Sequence, residues 1–339
     1  MRNFIARYTV LMLLFTIVIL VITYIPGLNP SKPEEVEENQ PAHQYRVQVV
    51  LKARANPPDF WRIVEQGLKM GGDEFNVKYE VNGPSTENDI DTQISMVRAA
   101  IKKKPDVLIL AAGDFERLAP VCEEAVAAGI RLISLDSDVN SDKKLCFVGT
   151  DNYELGQKLG FLVDGILKPG DTFGVIGHVE SSFTAMERER GLMDAVENVE
   201  ERMAAIRFCG SSVDRSRKQT IEIIQQHPEI TCMVGLNESS ALGICRALDD
   251  LGMTGDIRVV ACDSSETQIK YMESGVIQSA VIQNPFNMGY LSMVAAVRIM
   301  NGEKVEPYIN TGSVVIDRDA MRRPENQKLL FPFIDESYE

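Results

Sequence analysis

Asp136, Asn237, Asp263 and Gln283 each stand where a short apolar run gives way to a polar segment, and Arg190 closes the polar stretch after another such run. Acid, amide and guanidinium groups supply planar donors and acceptors, which grip a hydroxyl-rich ligand. A hydrogen bond to a charged group contributes about 1.5–3 kcal/mol net, so a handful gives tight binding. Phe60 and Trp61 offer flat apolar faces that can cover the C–H side of a ring. Asn56, Asp114, Ser137 and Asp138 lie in comparable segments and are secondary candidates. Plainer readings stand beside these. Phe60-Trp61 also reads as core, and Asp136, Asn237 and Asp263 also read as helix caps. Arg190 could pair on a helix surface with Glu187 or Asp194.

Other chemistry is poorly represented. The chain has no G-x-x-x-x-G-K-[ST] phosphate loop, no G-x-G-x-x-G after a strand and no H-E-x-x-H, so the sequence does not read as an enzyme and implies no cofactor. The histidines are His43, His178 and His227; His178 follows a strand and could face a ligand, whereas His227-Pro228 ends a helix. Asp136-Ser-Asp-Val-Asn-Ser-Asp142 starts like a calcium loop. It carries Ser141 where glycine is required and Phe147 where an acid is required, so it reads as a turn. The six cysteines form no C-x-x-C pair and several lie in apolar runs, as buried thiols do. With 35 Lys+Arg against 49 Asp+Glu the net charge is −14, which argues against a nucleic-acid partner.

The elements that must position these residues alternate in type. Strands are expected at Arg46–Leu51, Val77–Val81, Val107–Ala111 and Ile130–Leu135, with helices near Phe60–Met70, Ile90–Lys102 and Phe115–Ala128 between them. The rhythm restarts with strands at Phe173–Ile176, Ala205–Phe208, Cys232–Leu236, Val259–Cys262 and Ser279–Ile282. A helix at Met288–Met300 and a strand near Val314–Ile316 end it. Two series of parallel βαβ units predict an α/β fold of two doubly wound parallel-sheet lobes. Ligands in such sheets gather beyond the carboxyl ends of the strands, where the candidates stand.

Ahead of the lobes, Arg2 and Arg7 precede an uncharged run over residues 8–25 that ends at Pro26-Gly27. As a helix it would rise roughly 27 Å, near the ~30 Å thickness of a bilayer core. One N-terminal transmembrane helix is therefore expected, with the flanking arginines inside and the ligand-binding part extracytoplasmic. A cleaved signal peptide is the competing reading. Residues 26–44, with Pro26, Pro30, Pro33 and Pro41 among acids, read as a linker. A regulator would need a DNA-reading helix-turn-helix in this place.

From about Tyr45 to Ile316 the chain resembles the ribose-type periplasmic sugar-binding proteins, the solute receptors of ABC importers. The matching segments include Asn56-Pro-Pro-Asp-Phe-Trp-Arg-Ile-Val-Glu-Gln-Gly67, Ile133-Ser-Leu-Asp136, Ala185-Met-Glu-Arg-Glu-Arg-Gly191, Leu236-Asn-Glu-Ser-Ser-Ala-Leu-Gly243 and Val259-Val-Ala-Cys-Asp263. The resemblance implies that Phe60 and Trp61 sandwich a sugar ring. It implies that Asp136 accepts sugar hydroxyls, that Arg190 donates to the sugar, and that Asn237, Asp263 and Gln283 complete the polar shell. It also implies a three-crossing hinge near Thr150, Gln283 and Gly312. The lobes are then 45–150 plus 284–312 and 151–283 plus 313–331. Ala111, Ser137, Val213 and Cys262 depart from the ribose receptor's asparagine, arginine and aromatic residues, so a different monosaccharide, a cyclic polyol or another polar metabolite fits as well as ribose. The implied partner is an ABC permease. The lack of a lipid-attachment cysteine after the apolar run leaves room for a membrane sensor kinase.

Overall fold

The computed structural model describes residues 44–54 and 58–331. The expected transmembrane run 8–25, the linker up to His43, and Asn56 lie outside these residues. Among the described residues no helix is long and apolar enough to cross a membrane.

Strands form where β-branched and leucine side chains run together, because helices cover both faces of each sheet. Every residue of Val107–Leu110 and Cys146–Gly149 is buried. The first sheet holds β1 (Arg46–Val50), β2 (Lys78–Asn82), β3 (Val107–Leu110), β4 (Arg131–Leu135), β5 (Cys146–Gly149) and β11 (Tyr308–Asn310). It is parallel throughout, in the order β11-β5-β4-β3-β1-β2. The second holds β6 (Thr172–Gly177), β7 (Met203–Phe208), β8 (Ile230–Gly235), β9 (Arg258–Cys262), β10 (Ile277–Gln283) and β12 (Ser313–Asp317), ordered β12-β10-β9-β8-β6-β7. Only β12, against β10, is antiparallel in that sheet. The two lobes expected from the sequence are present. The short strands β5 and β11 were not anticipated.

Helices α1 (Asp59–Glu74), α2 (Ile90–Lys102), α3 (Ala119–Ala127) and α10 (Pro285–Met300) pack with the first sheet. The second carries α4 (Asn152–Ile166), α5 (Phe183–Ala195), α6 (Val199–Arg202), α7 (Val213–Gln226), α8 (Glu238–Leu251), α9 (Glu266–Glu273) and α11 (Pro324–Leu330). In each lobe one helix pair meets backbone to backbone. A Cβ on Gly67 of α1 would lie 2.0 Å from the Phe286 carbonyl oxygen of α10, and one on Gly289 2.1 Å from that of Val64. In the other lobe, a Cβ on Gly156 of α4 would lie 2.2 Å from the Arg188 carbonyl oxygen, and one on Gly191 of α5 2.1 Å from that of Tyr153. These contacts fix how far α1 and α5 reach over the space between the sheets.

The chain passes between the sheets after β5, after β10, and between β11 and β12. Two of these strands are tied together. Thr311 N donates to Gly149 O (3.0 Å), and Asn310 Oδ1 accepts from Gly312 N (2.8 Å) and Asp151 N (3.3 Å).

Candidate functional site

The carboxyl ends of the two sheets face each other across a cavity of about 30 Å³, far below the roughly 300–1,000 Å³ usual for occupied small-molecule sites, so the walls stand almost in contact. Its wall comes from both lobes. Lys52, Pro58, Phe60, Trp61, Glu87 and Asp136 belong to the first; His178, Thr184, Arg188, Asn237, Glu238 and Asp263 belong to the second, with Gln283 at a crossing.

Two acids mark equivalent places. Asp136 follows β4 and Asp263 follows β9, with φ of 61° and 72°, in a left-handed region that non-glycine residues seldom occupy. Each is locked by its own amide, Asp136 N to Val148 O (2.8 Å) and Asp263 N to Val281 O (3.0 Å). Strain held this way concentrates at functional sites. Asp136 pairs with Lys52 at 3.3 Å, and the lysine side chain is only 2% exposed. Asp263 accepts from Gln283 Nε2 (2.7 Å) and from the Glu238 amide (3.0 Å), so its carboxylate organises the second lobe.

Arg188 lies on the buried face of α5. Its Nε donates to Asn152 Oδ1 and its Nη1 to Leu236 O, both at 2.9 Å. Burial works against its charge, but Cys262, Asp263, Asp136 and Glu87 more than offset this and hold the pKa above its ordinary value. His178 is driven well below its usual range by burial and then by Arg188 and Lys52, so the imidazole is neutral. Its Nε2 meets Thr184 Oγ1 at 2.8 Å, while its buried Nδ1 and Gln283 Oε1 have no hydrogen-bond partner among the described residues.

The aromatic pair sits edge to face, centroids 5.1 Å apart, with Trp61 buried and Phe60 half-buried. Trp61 Nε1 donates to Glu87 Oε1 (2.6 Å), and Glu87 Oε2 accepts from Ser211 Oγ of the other lobe (2.6 Å). Further bonds cross the gap. Lys52 Nζ donates to Thr184 Oγ1 (3.1 Å), Phe115 N to Ser181 O (2.9 Å), and Asp59 N and Phe60 N to the Glu238 carboxyl (3.3 Å each). The Phe115 and Phe183 rings stack at 5.6 Å. The lobes are therefore closed on one another.

Phe60, Trp61, Asp136, Asn237, Asp263 and Gln283 are thus brought together at the cavity. Core and wall are both correct descriptions of Trp61, which also belongs to the first lobe's apolar cluster. Asn237 is at once wall and N-cap, its Oδ1 accepting from Ser240 N (2.9 Å). No helix follows Asp136 before β5, so the cap reading fails there.

Arg190 is not at the cavity. It is exposed, pairs with Glu187 and lies over the Tyr153 ring, 4.2 Å from its centroid. The arginine that the structure puts in the wall is Arg188, two residues earlier. Of the secondary candidates among the described residues, none lines the cavity. Asp114 caps its own turn, accepting from Arg117 N (2.7 Å). Ser137 is buried, and its hydroxyl has no partner among the described residues. Asp138 binds Ser134 Oγ (2.7 Å) and Lys144 (3.2 Å). Lys52 and Glu87 were not expected from the sequence; Thr184 and Glu238 stand in segments that follow strands but were not singled out as site residues.

Residues 47–304 match the family model described as the periplasmic binding protein domain, and the chain belongs to that family. A D-ribose/D-allose-binding protein of Pseudomonas aeruginosa is 26% identical over 269 residues, which cover 77% of this chain and 84% of that protein. A crystal structure of a sugar transporter from Clostridium phytofermentans matches with a TM-score of 0.77 at 33% identity, covering 81% of this chain and 99% of that one. A carbohydrate transporter solute binding protein from Agrobacterium radiobacter, solved in complex with D-arabinose, shares the fold. Its TM-score is 0.80 at 23% identity, with 85% of this chain and 99% of that one covered.

Proposed function

We propose that this member of the periplasmic binding protein family captures a monosaccharide or similar polyol between its lobes, 45–150 plus 284–312 and 151–283 plus 313–331, and delivers it to an ABC importer. The observation that carries this reading is the cavity itself. One small enclosure holds the Phe60–Trp61 pair, the acids Asp136 and Asp263, the buried Arg188, and the amides Asn237 and Gln283. Aromatic faces suit the C–H side of a sugar ring, and fixed polar groups suit its hydroxyls. Unpartnered Gln283 Oε1 and His178 Nδ1 add polar atoms that a ligand hydroxyl would satisfy. Because the wall comes from two lobes, a ligand bonding both favours the closed form by its differential affinity. Nothing in this role calls for catalysis or a cofactor.

The uncharged run 8–25 behind Arg2 and Arg7 supports a single-pass tether with the lobes extracytoplasmic. That run, with no cysteine after it for lipid attachment, also favours a second reading in which the closed lobes report to a membrane sensor kinase. Co-purification with a coexpressed permease or kinase, with and without ligand, separates the two.

The primary test titrates the full-length chain, solubilised in mild detergent, with D-ribose, D-allose, D-arabinose, D-fucose, D-tagatose and myo-inositol. Trp61 is the only tryptophan and reports directly on the cavity wall. A saturable change in its emission with at least one of these is expected. Calorimetry that detects no binding of any of them at millimolar concentration overturns the reading.

A further inference from the structure

His178 follows β6, lines the cavity and is buried, and its ring has one hydrogen-bond partner among the described residues, Thr184 Oγ1. The groups around that hydroxyl decide which ring nitrogen carries the proton. Thr184 Oγ1 has one hydrogen and two lone pairs. Lys52 Nζ, an ammonium that only donates, takes one lone pair from the first lobe at 3.1 Å. Ser182 Oγ lies 3.2 Å away and gives its own hydrogen to Val179 O at 2.8 Å, a carbonyl that only accepts. Ser182 therefore meets Thr184 with a lone pair, and the Thr184 hydrogen goes to it. The lone pair left on Thr184 accepts from His178 Nε2 at 2.8 Å. The opposite tautomer would set the Thr184 and Ser182 lone pairs against each other.

The ring is also neutral, being buried beside two cations, Arg188 and Lys52. With its proton on Nε2, it keeps a bare lone pair on Nδ1, which is buried and has no partner among the described residues. Gln283 presents the same kind of atom. Its Nε2 donates to Asp263 Oδ1 at 2.7 Å, which leaves Oε1 as a buried acceptor without a partner among the described residues.

We propose that His178 is a specificity-determining residue of the cavity, its Nδ1 accepting the hydrogen of one ligand hydroxyl and disfavouring a carbonyl, a carboxylate or a bare C–H at that point of the ligand. This rests on the reading of the cavity as a sugar site and names one atom by which that site selects its ligand. A hydroxyl donates to Nδ1 and still has lone pairs for a neighbouring cation, whereas a carbonyl or carboxylate oxygen sets a lone pair against a lone pair. A C–H in its place leaves Nδ1 desolvated and unpaired, which weakens binding roughly 5–150-fold.

The test has two parts. The first uses the full-length chain in mild detergent with His43→Gln and His227→Gln, so that His178 is its only histidine, isotopically labelled at the ring nitrogens for magnetic resonance. Without sugar, Nε2 should carry the proton and Nδ1 should not; a proton on Nδ1 overturns the proposal. On saturation with D-allose or D-ribose, Nδ1 should stay unprotonated and its resonance should move to lower frequency, as acceptance of a hydrogen bond requires. Saturation shown by calorimetry with an unmoved Nδ1 resonance overturns the proposal. The second part compares the wild type with His178→Phe, which keeps a ring and removes the acceptor. Each is titrated with the tighter-binding of the two sugars and with each of its monodeoxy derivatives. The penalty for removing one particular hydroxyl should vanish in His178→Phe while the others persist. Penalties that are all unchanged in the folded variant overturn the proposal and leave sugar capture standing. If neither sugar binds the wild type, sugar capture falls and the proposal falls with it.

Discussion

Replacing Arg188 and Arg190 one at a time separates the wall of the cavity from the surface beside it. Arg188 holds Asn152 Oδ1 and Leu236 O at 2.9 Å each, in a region closed to solvent. Arg188→Ala leaves those two acceptors unpaired, and each buried group so stranded costs about 1–3 kcal/mol. Stability should fall by about 2–6 kcal/mol, read as a lower denaturation midpoint. Sugar affinity should fall further than this damage explains, because a charge-assisted bond contributes about 1.5–3 kcal/mol, or roughly 10–150-fold in Kd. Arg188→Lys keeps the charge without the planar fork and should retain most of the stability while still losing affinity. Arg190→Ala removes an exposed pair with Glu187 and contact with Tyr153 and should leave Kd unchanged. The assay is Trp61 fluorescence titration alongside urea denaturation of each variant. A Kd unchanged in Arg188→Ala, or weakened tenfold in Arg190→Ala, refutes the assignment.

Lys52→Met should cost about 3–5 kcal/mol by leaving Asp136 buried without its cation, and adding Asp136→Asn, which removes the charge and tolerates the φ of 61°, should recover most of that stability while sugar binding stays weak. Binding that returns with stability in the double variant would remove Asp136 from the site. Gly191→Ala should drive α5 from α4, at about 1–3 kcal/mol and with weaker sugar binding, since its Cβ would meet the Tyr153 carbonyl oxygen at 2.1 Å. Gly165→Ala, also helical but with nothing within 4 Å, should instead stabilise the chain by about 1 kcal/mol in the same urea measurement.

The sequence was most legible where a physical rule applied locally. Ligand groups collect after parallel strands, and Asp136, Asn237, Asp263 and Gln283, which this rule picks out, all line the cavity. The rule failed within one helix. Thr184, Ala185, Arg188, Gly191 and Leu192 recur at helical spacing and are the buried face of α5, whereas Glu187, Arg190 and Asp194 follow another face. The period that separates Arg188 from Arg190 was present in the residues; the resemblance to a motif with two arginines obscured it. Lys52 stands just past the expected strand Arg46–Leu51 and two residues past the end of β1 at Val50, and a strand end cannot be read to a single residue. Glu87 and Glu238 act through groups far away in the chain, Trp61 and the start of α1, and no local pattern announces such a partner. Strands β5 and β11, four and three residues long, depend on neighbours in the sheet rather than on a period of their own.

The bonds already made across the gap constrain how a ligand could control closure. Lys52 to Thr184, Ser211 to Glu87, Phe115 to Ser181, and the two amides on Glu238 are all direct. Yet water replaces each of them when the lobes part, so each contributes only about 0.5–1.5 kcal/mol net. Moving the lobes from almost always open to almost always closed takes about 5.5 kcal/mol of differential binding. Two or three charge-assisted bonds to a ligand supply that, provided their protein partners come from both lobes. Asp263 holds Gln283 on one oxygen and the Glu238 amide on the other, which fixes its carboxylate and leaves lone pairs for a ligand. Asp136 and Arg188 stand on opposite lobes and are held rigidly by Lys52 and by Asn152 and Leu236. On the proposed function, a ligand bonded by Asp136 from the first lobe and by Arg188 and Asp263 from the second draws the two together.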